Sequence, residues 1–173
     1  MQESFVSLKS QYEKIKEEIE QAIDTTSFIN GPIVKEFQSN FEKYLGVKHV
    51  IPCANGSDAL KISMMALGLQ PGDEIITTIF TFIATAEVIA LLQLTPVLVG
   101  VNPQTYNIDP ASIEKAITSK TKAIVPVHLF GQCADMETII QIAKNYNLYV
   151  IEDACQSIGS DYIFSYWTKR KAG

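Results

Sequence analysis

Three short stretches hold the residue types that could do chemistry: "CANGSDAL" (53–60), "TTIFTFIAT" (77–85) and "IEDACQ" (151–156). In the first, Gly56 lets the backbone turn tightly into a helix, and Ser57, Asp58 and Ala59 follow with N–H groups at the helix start. Unpaired donors at the positive end of a helix favour an anion such as phosphate. The same residues also read as an ordinary cap, with Asn55, Ser57 or Asp58 as the capping side chain. The charge of Asp58 opposes a phosphate unless its side chain points away. No GK[ST] follows, so the stretch is not a P-loop. In the second stretch, Phe80 and Phe82 come just after an expected strand. A ring there forms one wall of a slot for a flat heterocycle, or simply packs in the core. In the third, Asp153 stands where an apolar strand emerges, with Gln156 three residues on. A carboxylate at that point can hold a protonated ring nitrogen and an amide can bond a ring hydroxyl. The alternative is an exposed loop acid.

These stretches need a frame, and the chain supplies one by alternation. Phe5, Leu8, Tyr12, Ile15, Ile19 and Ile23 recur at helical spacing, a stripe that packs against something, a partner subunit being one candidate. "FINGP" (28–32) breaks that helix, and a second runs through Val34, Phe37, Phe41 and Leu45 to a stop at Gly46. From there strands are expected at "HVIPC", "DEIITT", "PVLVGV", "TKAIVPVHL" and "LYVIED". Helices are expected at "SDALKISMMALG", "TFIATAEVIALLQL", "DPASIEKAIT" and "ADMETIIQIAKNY", with Asp109 and Asp135 as caps and Pro110 in the first helical position. Apolar strands alternating with helices predict an α/β fold: a mainly parallel sheet covered by helices on both faces. Ligands of such sheets sit at the carboxyl ends of the strands. All three chemical stretches fall in loops of that kind. Together they suggest a phosphorylated, aromatic, nitrogen-containing cofactor, and pyridoxal phosphate fits that description.

Bulk properties narrow the classes. Of 173 residues 47% are hydrophobic, enough for a sizeable core, and the formal net charge of −5 disfavours nonspecific nucleic-acid binding. The basic run "TKRK" (168–171) reads as a solvated turn. The longest apolar stretch, Ile83 to Leu94, is interrupted by Thr85, Glu87 and Gln93, so no membrane span is expected. Cys53, Cys133 and Cys155 are odd in number and far apart, as in a cytoplasmic protein with reduced thiols. His49 and His128 are isolated, and no metal site is expected. No GxGxxG follows the first strand, which argues against a dinucleotide-binding oxidoreductase.

The runs "FINGPIVKEFQSNFEKYLGVKHV", "NGSDAL", "PGDEIITTIFTFIATAEVI", "TPVLVGVNPQTYNIDP", "TKAIVPVHLFGQCADM" and "VIEDACQSIGS" carry a resemblance over about Phe28 to Gly159. The chain resembles the DegT/DnrJ/EryC1/StrS sugar aminotransferases, pyridoxal-phosphate enzymes of fold type I. The resemblance implies an N-terminal helical segment (1–30) followed by part of the cofactor-binding large domain (31–173). It places Gly56, Ser57 and Asp58 at the cofactor phosphate, Phe82 on the pyridine ring, Asp153 at the ring nitrogen and Gln156 near the ring hydroxyl. His128 is implied to lie near the site without an assigned role. Gly31 falls in a stretch implied to lie near the substrate, although a simple turn explains it as well.

The family transfers an amino group, usually from glutamate, to a nucleotide-linked keto sugar at sites built across a homodimer. The products enter polysaccharides and amino-sugar natural products. Its Schiff-base lysine follows a serine-rich "SF…SK" stretch beyond the "EDA.Q" motif. Lys169 and Lys171 match a variable basic turn instead. The expectation is therefore an N-terminal portion without its own catalytic lysine, inactive alone and marginally stable because a sheet edge is left unpaired. The alternatives are a non-catalytic cofactor- or partner-binding module, or one half of a split enzyme.

Overall fold

The computed structural model describes residues 8–173. Phe5, the first residue of the amino-terminal stripe, lies outside them. The chain forms two compact units, one ending at Pro52 and the other running Cys53–Gly173.

The first unit holds α1 (Leu8–Asp24) and α2 (Pro32–Leu45). Pro32 opens α2 at a position whose N–H has no helical partner to lose. Gly46 closes it in the left-handed conformation, φ 71°, returning its N–H to the Glu42 carbonyl. The two helices enclose a groove walled by Ile15, Ile19, Ile33 and Phe37. Gly31 caps α2 where a Cβ would come within 2.1 Å of the Ser27 carbonyl oxygen, so the turn by itself requires glycine. The strand expected at "HVIPC" does not form. Ile51 is 78% exposed, and the Val50 N–H is satisfied by the Glu42 side chain rather than by a ladder.

The second unit is the α/β body. Its elements are α3 (Gly56–Ala66), β1 (Glu74–Thr78), α4 (Ala84–Leu91), β2 (Thr95–Val99), α5 (Pro110–Ala116), β3 (Thr121–Val125), α6 (Met136–Tyr146) and β4 (Tyr149–Val150). The four strands form a parallel sheet in the order β2-β1-β3-β4. Successive strand residues point to opposite faces, and the core divides accordingly. Ile75, Ala123 and Val125 pack with Leu60 and Met64 of α3 and Val88 and Ile89 of α4. Ile76 and Ile124 pack with Ile113 of α5 and Ile139, Ile142 and Ala143 of α6. Helices therefore cover both faces, as the alternation predicts. Asp109 and Asp135 cap α5 and α6 through their side chains, accepting from Ala111, Ser112 and Thr138 N–H groups.

Beyond the sheet, β5 (Asp161–Ile163) and β6 (Lys169–Lys171) form an antiparallel hairpin. The expected solvated turn at "TKRK" is thus largely a strand. Lys169 and Lys171 both pair with Asp161, at 2.8 and 3.1 Å, which supplies the cross-strand attraction that three basic residues lack among themselves. The Tyr162 hydroxyl ties the hairpin to the start of α6 by donating to Asp135 and accepting from the Glu137 N–H.

Candidate functional site

The carboxyl ends of β1, β3 and β4 point toward one cavity of about 220 Å³. The loop after β1 contributes Thr81 and Phe82, and the first turns of α4 add Ala84 and Thr85. The segment after β3 contributes Val127 and Leu129, the segment after β4 Asp153, Cys155 and Gln156, and the tip of α3 Gly56, Ser57 and Leu60. Five of the six sequence-nominated site residues, Gly56, Ser57, Phe82, Asp153 and Gln156, therefore share one cavity wall. Asp58 does not line it.

Asp153 sits on an extension of the sheet. Its N–H donates to the Pro126 carbonyl, its own carbonyl accepts from the His128 N–H, and Val127 bridges to it in parallel register. That pairing buries the residue to 7% exposure with the side chain at the cavity. One carboxylate oxygen accepts from the Thr85 hydroxyl at 2.9 Å and the other from the Cys155 N–H at 3.3 Å. Among the described residues no Lys, Arg or His pairs with it. A buried carboxylate is costly without a compensating cation, and here the open direction is the cavity. The neighbouring Glu152 has a different job. It accepts from the Nε2 of His128 at 2.9 Å, while the Nδ1 of His128 accepts from the Ala134 N–H at 3.1 Å. Those two bonds fix the imidazole as the Nε2–H tautomer, and His128 is fully buried away from the cavity lining. Two adjacent acids thus face different surroundings: Asp153 lines the cavity and Glu152 holds His128.

At the α3 tip the cap reading holds, with Asn55 as the capping residue. Asn55 is the N-cap: its side chain accepts from the Asp58 N–H at 2.9 Å, and its carbonyl accepts from the Ala59 N–H. The expectation that Asp58 and Ala59 present unpaired N–H groups is therefore corrected, because the cap consumes both. Gly56 and Ser57 keep theirs. The Asp58 carboxylate is turned to Asn55 Nδ2 and to Lys61 at 3.0 Å, which offsets its charge near the tip. At Gly56 a Cβ would lie 3.0 Å from the Cys155 sulfur, so a side chain there would displace a cavity residue.

Phe82 is 72% exposed and edges the cavity, which removes the core-packing explanation for its ring. Phe80 instead meets Tyr106, ring centroids 5.7 Å apart. The Gln156 amide oxygen accepts from the Phe130 N–H at 3.1 Å. With that oxygen engaged, the amide nitrogen is the group left to act as a donor. Among the described residues no lysine lines the cavity.

Sequence reasoning did not single out Thr85 or Cys155. Thr85 registered only as an interruption of an apolar run, and that interruption, a hydroxyl on a buried helix turn, was the available signal. Partial burial, with the Asp153 side chain beside it, pushes the Cys155 thiol from an ordinary value of 9.0 up to about 11. Only the thiolate attacks alkylating agents. At pH 8 Cys155 is therefore expected to react with iodoacetamide roughly 100-fold more slowly than an ordinary thiol, speeding up as pH approaches 11. Peptide mass spectrometry over time checks this.

Among the described residues no helix is long and apolar enough to cross a membrane, and no three His, Cys, Asp or Glu side chains are grouped to hold a metal. The sequence profile described as the DegT/DnrJ/EryC1/StrS aminotransferase family matches residues 9–170. The chain is 50% identical over 162 residues to the UDP-2-acetamido-2-deoxy-3-oxo-D-glucuronate aminotransferase of Pseudomonas aeruginosa, covering 91% of this chain and 45% of that protein. It is 52% identical over 161 residues to a protein of Geobacillus stearothermophilus named pleiotropic regulatory protein, covering 91% and 43%. The crystal structure of NtdA from Bacillus subtilis with bound cofactor PMP superposes with a TM-score of 0.83 at 44% identity, over 87% of this chain and 34% of that one. The chain thus spans less than half the length of these relatives.

Proposed function

Because the chain belongs to the DegT/DnrJ/EryC1/StrS aminotransferase family, we propose that it carries the cofactor-holding face of a pyridoxal 5′-phosphate-dependent aminotransferase. The proposed acceptor is a nucleotide-linked keto sugar, the proposed donor glutamate, and the proposed setting amino-sugar or polysaccharide synthesis in the cytoplasm. The observation that carries the reading is the buried carboxylate of Asp153, unpaired with any cation among the described residues, in a cavity that the Gly56–Ser57 tip of α3 also lines.

The residues present fit such a group. Gly56 and Ser57 N–H groups, at the positive end of α3, would hold the phosphate, and the Gly56 cradle would be filled by any Cβ. Asp58 would act on the phosphate only indirectly, with its own charge balanced by Lys61. Phe82 would form the flat wall, and the Gln156 amide nitrogen would donate to the ring hydroxyl. Asp153 would hold the proton on the ring nitrogen, each charge relieving the other's burial. When bound, the cofactor supplies a protonated pyridine that draws electrons from the carbon undergoing exchange.

The reaction also needs an amine to bond the cofactor and move a proton. Since no lysine among the described residues lines the cavity, residues 1–173 alone are inferred to bind without turnover. The amine and the rest of the pocket would come from chain outside this wall, and the proposed assembly is a homodimer. The cavity's 220 Å³ accords with a partial site, being under the roughly 300–1,000 Å³ of ordinary ligand pockets.

A second reading, a cofactor-holding module with a regulatory role, is favoured by the name of the Geobacillus relative. Calorimetric titration with pyridoxamine 5′-phosphate, followed by an assay for 2-oxoglutarate release from glutamate with a UDP-linked 3-keto sugar, separates the outcomes. Saturable binding to the chain, with turnover once a lysine-bearing remainder of the enzyme is co-expressed, supports the aminotransferase. Binding with no turnover in that pair supports the module. Equal affinity for pyridoxamine lacking its phosphate overturns both.

A further inference from the structure

Thr85 carries a buried hydroxyl that the reaction scheme above leaves without a role. The residue is 1% exposed and lies in the first turn of α4. A threonine hydroxyl inside a helix ordinarily returns to a carbonyl three or four residues back. Here it crosses 68 residues of sequence to the Asp153 carboxylate at 2.9 Å. The Thr81 hydroxyl lies 3.4 Å behind it. An ionised carboxylate only accepts, so Thr85 spends its one proton on Asp153, and its lone pairs face the Thr81 hydroxyl. Direction is thereby fixed along the chain Thr81 to Thr85 to Asp153. The Thr85 N–H also donates to the Phe82 carbonyl at 3.3 Å, which anchors the proposed ring wall and the carboxylate's donor to the same helical turn.

We propose that Thr85 is a positioning residue: its hydroxyl fixes the plane of the Asp153 carboxylate, backed by Thr81, so that the remaining lone pairs address the cofactor's ring nitrogen. This rests on the reading of the cavity as a pyridoxal-phosphate site. The other carboxylate donor, the Cys155 N–H at 3.3 Å, is longer and lies on the same loop as Asp153, so it cannot register the acid against α4. Thr85 does so because it belongs to a different element.

The test is a binding cycle on the full chain with pyridoxamine 5′-phosphate, read by calorimetry, with the melting temperature of each variant recorded. Thr85→Val keeps the shape and removes the hydroxyl, and it is expected to weaken binding about 5–10-fold, while Thr85→Ser stays within about twofold of the parent. In an Asp153→Asn background, Thr85→Val is expected to add less than about twofold, because the charge that Thr85 orients is already gone. Equal losses for the Val and Ser variants, or an undiminished Val effect in the Asn background, would overturn the positioning role while leaving the cofactor site standing. If Asp153→Asn itself binds as tightly as the parent, the cofactor reading fails and the role of Thr85 falls with it.

Discussion

Asp153→Asn is expected to weaken pyridoxamine 5′-phosphate binding by about 10- to 150-fold. The substitution keeps the side chain's size and an acceptor for Thr85, so the cavity wall should survive. What it removes is the negative charge facing the cavity. A hydrogen bond to a charged group contributes roughly 1.5–3 kcal/mol, and every 1.4 kcal/mol is a factor of ten. In the assembled enzyme the loss should be larger, above about 100-fold in kcat/KM, because breaking a buried charge pair costs about 3–5 kcal/mol. Asp153→Ala should be worse still, since it also leaves the buried Thr85 hydroxyl without its acceptor. Calorimetry on the chain and initial rates on the assembled enzyme check the two parts separately. Glu152→Gln makes the contrast: it touches the His128 latch and not the cavity, so its effect should appear in stability before it appears in binding.

Ile124→Ala should lower the unfolding free energy by about 2–5 kcal/mol, the usual range for deleting a buried isoleucine's side chain down to Cβ. Ile124 is fully buried in β3, in one core cluster with residues of α5 and α6. Urea unfolding should show a lower midpoint with an unchanged slope, since the surface exposed on unfolding is nearly the same. Ile79→Ala, at a position 67% exposed just past β1, should change stability by no more than about 0.5 kcal/mol. The comparison matters for the site, because β3 carries the Pro126–Val127 segment that holds Asp153 in register. Destabilising β3 should therefore weaken cofactor binding only as the folded fraction falls.

Where the sequence was legible, a local rule and the tertiary structure agreed. Asp109 and Asp135 announce helix starts, Gly46 announces a stop, and adjacent Ile75 and Ile76 serve opposite sheet faces. The expected strand at "HVIPC" (49–53) did not form because apolar composition says nothing about a ladder partner, and among the described residues this segment has none. The strand Lys169–Lys171 was hidden for the opposite reason. Its charges read as solvated, while the partner that steadies them, Asp161, is set by a hairpin that composition does not announce. At the site, residue type and spacing brought out Gly56, Ser57, Asp153 and Gln156, and the family resemblance chose Phe82 over Phe80; the fold brings these five to one cavity. Type and spacing could not show that Asn55 would spend the Asp58 N–H on capping, nor that Thr85 would reach Asp153. Both depend on side-chain direction, which spacing alone leaves open.

The central claim is that one cavity wall holds a planar phosphorylated pyridine by its two ends. A crystal structure of the chain with pyridoxamine 5′-phosphate tests it most directly. The account predicts the phosphate on the Gly56 and Ser57 N–H groups, the ring beside Phe82 and its nitrogen within hydrogen-bonding distance of Asp153. A ring nitrogen turned to solvent, or a phosphate seated away from the α3 tip, would contradict it.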